Sequence, residues 1–274
     1  LYSSAASDVY KRQADLSLAG QGDARASVER AARLFAGRGA DVPDDSGCVW
    51  LGLARPEGTL GRPPRWRAAG TMGWAEGPAL ALLRTGPLRF RPGQADLLHL
   101  SLRDGVNWVL RDGGTGRYDP PEPWWWAALA GAAAHNAPVF DQAEPMPRAG
   151  RFLLARWPST RPTQDGGALR DARGNGVVRS VRAEGRRWTV EDSLSGPFRA
   201  VAWHWRLCPG AWRLAPDGLV GEAATLSVIA DAPFRLELIG GWESPSYGAI
   251  APAPVLRVTA RAPVGRVTTT IRLP

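Results

Sequence analysis

From Gly47 to the C-terminus the chain is written in short apolar runs that alternate with polar residues and are cut by Gly, Pro or Asp. That pattern constrains the fold more than any other feature. A period of two sends successive side chains to opposite faces of an extended strand, whereas a helix needs apolar residues three and four apart over about ten or more positions. With 32 glycines and 24 prolines among 274 residues, few windows are long enough for a helix. The sequence therefore predicts a mainly β chain, a large two-sheet antiparallel β-sandwich with one short N-terminal helix.

Residues 97–111 illustrate the logic. Leu98, Leu100 and Leu102 point one way, and Leu97, His99, Ser101 and Arg103 the other. Asp104 and Gly105 make the turn, and Val106, Trp108 and Leu110 continue the alternation, which defines a hairpin. Residues 177–182 and 188–190 flank Glu184 and Gly185 as a second hairpin. Residues 198–207 alternate Val201, Trp203, Trp205 and Leu207 against Ala200, Ala202 and His204. Further strands are predicted at 48–53, 80–83, 225–229, 234–239, 255–259 and 267–271. Val28, Ala31, Ala32 and Phe35 fall at helical spacing with Gly37 as a stop, so 24–35 is the one helix. Residues 41–45 read as a linker, and the polar, Gly-rich stretch 157–176 as a long mobile loop.

Residues 1–13 differ from everything after them. They open on Leu1 and hold the lone lysine, Lys11, two of the four tyrosines and a serine cluster. The string LYSSAASDVYKRQ looks like a translated sequencing-adapter artefact, so it is expected to be a non-native, disordered lead to a fragment and is set aside from fold reasoning.

The balance of 34 basic to 26 acidic residues gives a net charge of +8, almost all of it arginine, and an isoelectric point near 10.6. Arginine without lysine is what a GC-rich coding sequence produces. It is also what attraction to an anionic polymer requires, since guanidinium forks match carboxylates and sulfates. No nucleic-acid motif accompanies the charge, and no nucleic-acid partner is expected. Cys48 and Cys208 make neither a disulfide framework nor a metal-binding pair. No run approaches the ~18 apolar residues of a membrane-spanning helix. The Gly-rich run at 112–116 lacks the Lys-Ser/Thr and the helix of a phosphate cradle.

Residues 91–152 concentrate the polar groups that loops present from a rigid sheet. The hairpin is followed by an aromatic, proline-rich loop, with Asp112, Tyr118, His135 and Asp141 at the turns. The runs Pro92-Gly93-Gln94-Ala95-Asp96, Asp112-Gly113-Gly114-Thr115 with Tyr118 close behind, and Ala134-His135-Asn136 resemble landmarks of the C-terminal β-sandwich region of the heparinase II/III family of polysaccharide lyases. The segments 146–152 and 244–248 are similar to further landmarks, and the resemblance runs from about Cys48 onward.

The resemblance implies a division into 1–13, 14–45 as the end of a helical domain that is missing here, and 46–274 as the sandwich. It also implies a role in β-elimination of uronic-acid-containing polysaccharides, in which a base takes the proton beside the carboxylate and an acid protonates the leaving oxygen. In the family the principal base and acid lie largely on an N-terminal α/α toroid, while the sandwich adds a histidine and a structural metal site. Carried over position by position, that histidine falls on Pro92, and the metal ligands, with zinc as the implied ion, fall on Gln94, Asp112 and His135. Proline has no titratable group, and an amide oxygen is a poor zinc ligand beside imidazole. Two readings stay open: a degenerate divalent-metal site, or an ion-free cluster in which Asp112 orients a neutral His135 and Gln94 ties down the turn. Either requires Asp112 and His135 to be in side-chain contact.

His135 and Tyr118 are the candidate catalytic residues of the fragment. Arg91, Arg111 and Arg117 are either uronate-binding groups or ordinary solvated arginines. Trp124, Trp125 and Trp126 cannot all be buried on one face, so at least one is expected as a stacking platform for a sugar ring, although most tryptophans are core. His99 and His204 read as structural histidines. The implied partners are an acidic polysaccharide and the toroid of the same protein, the implied location is the periplasm or cell envelope, and the fragment alone is expected to be inactive. The alternative is a non-catalytic carbohydrate-binding or structural β-sandwich module.

Overall fold

The structure is a computed structural model that describes residues 25–40, 46–61, 63–88, 92–117, 119–150 and 153–274. The expectations for 1–13 and 41–45 lie outside the described residues. The chain forms two compact units, one of Ser17–Pro63 and one built on Pro64–Pro274.

In the smaller unit, helix α1 (Arg25–Ala36) occupies the expected stretch and ends at Gly37, whose φ of 60° suits a glycine. Val28 and Phe35 stand exposed, so its apolar spacing marks a helix without marking a buried stripe. Glu29 is buried instead, accepting hydrogen bonds from Arg33 Nε and the Ala40 amide, both at 2.6 Å. The strand expected at 48–53 is not formed: Ser46–Trp50 is a short helix, α2. Its end is closed by Gly52 at φ 63°, with the Gly52 amide on Val49 O (3.0 Å) and the Leu53 amide on Cys48 O (2.9 Å). Those local bonds satisfy the backbone that a strand would have left for a neighbour.

The larger unit is mainly β and antiparallel throughout its named pairs, as the alternation requires. Its strands lie in three larger sheets that share one core, a mainly β architecture consistent with the expected sandwich. A five-stranded sheet runs in sequence order through β1 (Arg65–Ala68), β2 (Thr71–Glu76), β3 (Ala79–Arg84), β4 (Leu100–Asp104) and β5 (Asn107–Leu110). A four-stranded sheet carries β6 (Pro138–Phe140), β13 (Ala200–Arg206), β17 (Phe234–Glu243) and β18 (Ala251–Arg261), ordered β17-β18-β13-β6. β7 (Arg148–Gly150) and β8 (Leu153–Leu154) form a separate ribbon. The eight-stranded sheet takes β9 (Ser159–Thr163), β10 (Gly166–Arg170), β11 (Gly176–Glu184), β12 (Arg187–Ser195), β14 (Trp212–Ala215), β15 (Gly218–Gly221), β16 (Thr225–Ala230) and β19 (Arg266–Arg272). Its order is β14-β15-β16-β19-β12-β11-β10-β9.

The inward residues of all three sheets fill one core. Leu83, Leu100 and Leu102 come from the first sheet and Leu98 from the segment that enters it, Trp203, Trp205 and Leu256 from the second, and Val181, Trp188, Leu226 and Ile271 from the third. The alternation of Val201, Trp203, Trp205 and Leu207 predicted from sequence is what places the tryptophans inside. The opposite face of the 97–103 run is also covered, so His99 and Ser101 are buried as well.

The loop expected at 157–176 is instead the hairpin β9–β10. Its glycines serve close approach, not mobility: a β-carbon at Gly166 would collide with the carbonyl oxygen of Arg179 on the neighbouring β11. One helix, α3 (Trp124–Ala130), lies in the aromatic loop and is followed by a 3-10 turn at Ala132–Ala134. Cys48 and Cys208 carry free thiols. No helix among the described residues is long and apolar enough to cross a membrane.

Candidate functional site

Three segments deliver polar side chains to one point beside the five-stranded sheet. The first enters β4. Leu98 has a φ of 60°, rare for a residue with a β-carbon, and its amide donates to Arg84 O at 2.7 Å. That kink seats the Leu98 side chain in the core and presents His99 to the other face. The second leaves β5, where the Arg111 amide donates to Arg206 O (2.9 Å) and carries Asp112 to the sheet edge. Asp112 Oδ1 accepts the Gly114 amide at 2.7 Å, an Asx turn that fixes the carboxylate. The third is the 3-10 turn, held by the Gly113 amide on Ala134 O (3.0 Å), from which His135 and Asn136 follow.

Asp112 and His135 meet as the spacing of the motifs predicts: His135 Nδ1 is 2.9 Å from Asp112 Oδ2. His99 is the third member, its Nε2 at 3.5 Å from the same oxygen and 2.8 Å from Ser101 Oγ. The two imidazoles are edge to face, with centroids 5.5 Å apart. Burial disfavours the Asp112 anion, but the two histidines beside it, with the His135 ring and the Gly114 amide as donors, win and hold its carboxyl well below the usual range. Burial pushes His99 down to about 4, against the opposing pull of Asp112, so His99 is neutral near pH 7.

Gln94, expected as a ligand beside Asp112 and His135, reaches the same turn through its amide nitrogen. Its Nε2 donates to Gly114 O (3.2 Å), tying residues 92–96 to the turn, and its Oε1 is buried without a hydrogen-bond partner. His135 is 0% exposed. Its ring is closed off from the surface. Tyr118 and Arg91 lie outside the described residues.

The aromatic and basic expectations divide in the same way. Trp125, at 9% exposure, is core rather than platform, and Gly116 is the space it leans into. Trp126 is half-buried with Arg148 over its ring at 4.6 Å. Trp124 alone of the three is exposed, at 42%. It meets Trp242, equally exposed at 42%, with ring centroids 5.2 Å apart. Arg111 is half-buried: its Nε lies 3.1 Å from Oε2 of the buried Glu243, whose carboxyl burial pushes up against the pull of Arg111 and Arg206. Arg117 is exposed. The segment 244–248 lies along the same turn, with the Ser244 amide on Gly113 O (2.8 Å) and the Gly248 amide on Gly116 O (2.9 Å).

Sequence reading missed Asn136 and Arg179 as the residues that hold the site. Asn136 donates from Nδ2 to Leu100 O (2.8 Å) and Arg111 O (3.0 Å), and from its amide to His99 Nδ1 (3.0 Å). Its Oδ1 accepts the Arg206 amide at 2.6 Å. Arg179, fully buried on β11, donates to Leu98 O at 2.7 Å and to Asn136 O. The one available signal was an arginine at an inward position between Val177 and Val181.

Comparison with known proteins agrees with this architecture. No curated protein sequence matches the chain. Among solved structures, a heparinase III gene product matches with a TM-score of 0.65 and 14% identity, over 79% of this chain and 37% of that one. A second heparinase III matches with a TM-score of 0.63 and 14% identity over 80% and 38%. The heparan sulfate lyase of Pedobacter heparinus matches with a TM-score of 0.60 and 14% identity over 96% and 41%. At such identity the likeness is one of fold, and the chain spans 37% to 41% of the length of these proteins. The profile described as "Heparinase II/III-like, C-terminal" matches residues 59–261, which is most of the chain, and the chain belongs to that family.

Proposed function

We propose that this chain is the C-terminal domain of a polysaccharide lyase and that it binds and positions an acidic polysaccharide without itself transferring protons. The observation that carries the reading is the enclosure of the polar cluster in a chain of this family: His135, the histidine expected as a catalytic candidate, is buried beside Asp112, and the position of the family's catalytic histidine is Pro92. A base for β-elimination must reach the carbon-bound proton, so the acid and base are assigned to a toroid domain of the intact protein. The surface left for substrate is the rim: Trp124 and Trp242 for the C–H face of a sugar ring, and Arg117 for its carboxylate. A periplasmic or cell-envelope location is part of the same proposal.

The test is to incubate the chain with heparan sulfate, a uronate homopolymer and a neutral glucan, reading the absorbance of unsaturated uronate and, separately, binding by titration calorimetry. The expected result is no elimination, with binding to the two acidic polymers that weakens with salt but does not vanish. Elimination by the chain alone would overturn the division of labour, and equal binding to the neutral glucan would overturn the substrate class. A second reading, a carbohydrate-binding module with no lyase partner, is favoured by Pro92. It makes the same binding prediction, and differs in that adding the toroid of the intact protein would restore no elimination.

A further inference from the structure

The family implies a metal in this cluster, and the distances would admit one: His99, Asp112 and His135 each offer a ligand atom, all within 4.8 Å of one another. The polarity of the hydrogen bonds does not. A neutral imidazole has one N–H and one lone pair, and a metal takes the lone pair. The Asn136 amide donates to His99 Nδ1 at 3.0 Å, so the lone pair of His99 is on Nδ1 and the proton on Nε2, the nitrogen that faces Ser101 and Asp112. The Asp112 carboxylate accepts the Gly114 amide through Oδ1 and faces both rings through Oδ2, so the nitrogen 2.9 Å away, His135 Nδ1, is the donor of that pair and carries the ring proton. The lone pair of His135 is then on Nε2, on the far side of the ring from the carboxylate.

Both nitrogens that face Asp112 are therefore donors. The two that carry lone pairs point away from it, and one of them is already engaged. A carboxylate has lone pairs to spare, but a zinc site needs about three or four donors converging on one point. Here the third family position is Gln94, whose buried Oε1 is a neutral amide oxygen and a poor zinc ligand beside imidazole. For an ion to enter, both rings would have to change tautomer, and the buried Asn136 amide would lose its acceptor.

We infer that this member of the family has exchanged its metal for protons: the N–H groups of His99, His135 and Gly114, turned toward Asp112, take the place of the cation, and the turn stands without an ion. His99 thereby has a positioning role in a cluster that the alignment of motifs assigns to Gln94.

The inference is tested on the full chain with ¹⁵N-labelled histidine. Long-range ¹H–¹⁵N correlation spectra report which nitrogen of each ring is protonated, before and after dialysis against zinc chloride and removal of free metal. Zinc content of the folded chain is measured alongside. The expected result is His99 protonated at Nε2 and His135 at Nδ1 in both samples, with the thermal midpoint unchanged. Zinc that is retained while both ring signals stay in place is bound elsewhere, and agrees with the inference. A zinc-treated chain in which either ring loses its proton toward Asp112 would overturn it. So would a metal-free chain in which His99 is protonated at Nδ1.

Discussion

Arg179 and Asp192 face each other fork to fork inside the core, Nε to Oδ1 at 2.8 Å and Nη2 to Oδ2 at 2.7 Å, with neither side chain more than 2% exposed. They sit on adjacent strands, β11 and β12, as directly paired residues. Trp203 adds its indole N–H to Asp192 Oδ2 at 2.7 Å, and Arg179 spends Nη1 on the carbonyls of Leu98 and Asn136. Removing one partner leaves the other charge buried and unpaired. Arg179→Met is expected to lower unfolding free energy by about 3–5 kcal/mol, and Arg179→Met with Asp192→Leu to recover part of it. Urea titrations of the three chains check both statements.

Asn136 should be irreplaceable by its nearest isostere. Asp would keep the acceptor for the Arg206 amide but set a charged oxygen against the carbonyls of Leu100 and Arg111, which now receive N–H donors. Asn136→Asp is expected to cost at least as much as Asn136→Ala, about 3 kcal/mol or more, because several buried groups lose their partners at once. Equal stability of Asn136→Asp and the native chain in urea would contradict this.

The three consecutive tryptophans are expected to separate cleanly. Trp125→Ala should lower stability by about 3–5 kcal/mol through the cavity it leaves, whereas Trp124→Ala and Trp242→Ala should leave the urea midpoint nearly unchanged. Binding of acidic polysaccharide should show the reverse, with the salt-resistant part of the affinity lost in Trp124→Ala and Trp242→Ala. Calorimetry at low and high salt on each folded variant reads the difference.

His204 introduces a pH dependence on the acid side. Burial first, then Arg257 and Arg206, lowers it from 6.5 to about 4. Between those values the unfolded chain takes up a proton that the folded chain refuses. Stability from this group is therefore complete above pH 6.5, falls as pH drops toward about 4, and levels off below. The full loss is at most about 3.4 kcal/mol. His204→Gln should flatten that part of the stability profile relative to the native chain, measured by thermal unfolding from pH 7 to 4.

The strands were legible wherever one face is core and the other is not. Residues 225–229 are the clearest case, with Leu226 and Val228 buried and Ser227 and Ile229 not, and both hairpin turns, at Gly105-Val106 and Gly185-Arg186, fall within one residue of where the sequence puts them. What could not be read is where local composition has two physical meanings. Glycine at 166 and 167 signals mobility when counted, yet here it lets β10 approach β11 and the Leu98 side chain. The run at 48–53 is short and apolar like a buried strand but closes locally on Gly52. At the site, Asp112 with His135 was legible because two turn motifs converge. His99 looked like one more residue on a strand face, since its partners, Ser101 apart, come from loops 13 to 37 positions away.

Asn136 binds a carbonyl at the start of β4, a carbonyl just beyond β5, an amide at the end of β13 and a guanidinium from β11. One side chain and its own peptide groups thus rivet all three sheets together at the point where the histidines stand. The keystone of the architecture and the cradle of the cluster are the same turn. Selection for folding alone is then enough to preserve the outline of the site, so a descendant that has shed the chemistry of its ancestors would still carry the Ala-His-Asn turn, unworn, as part of its masonry.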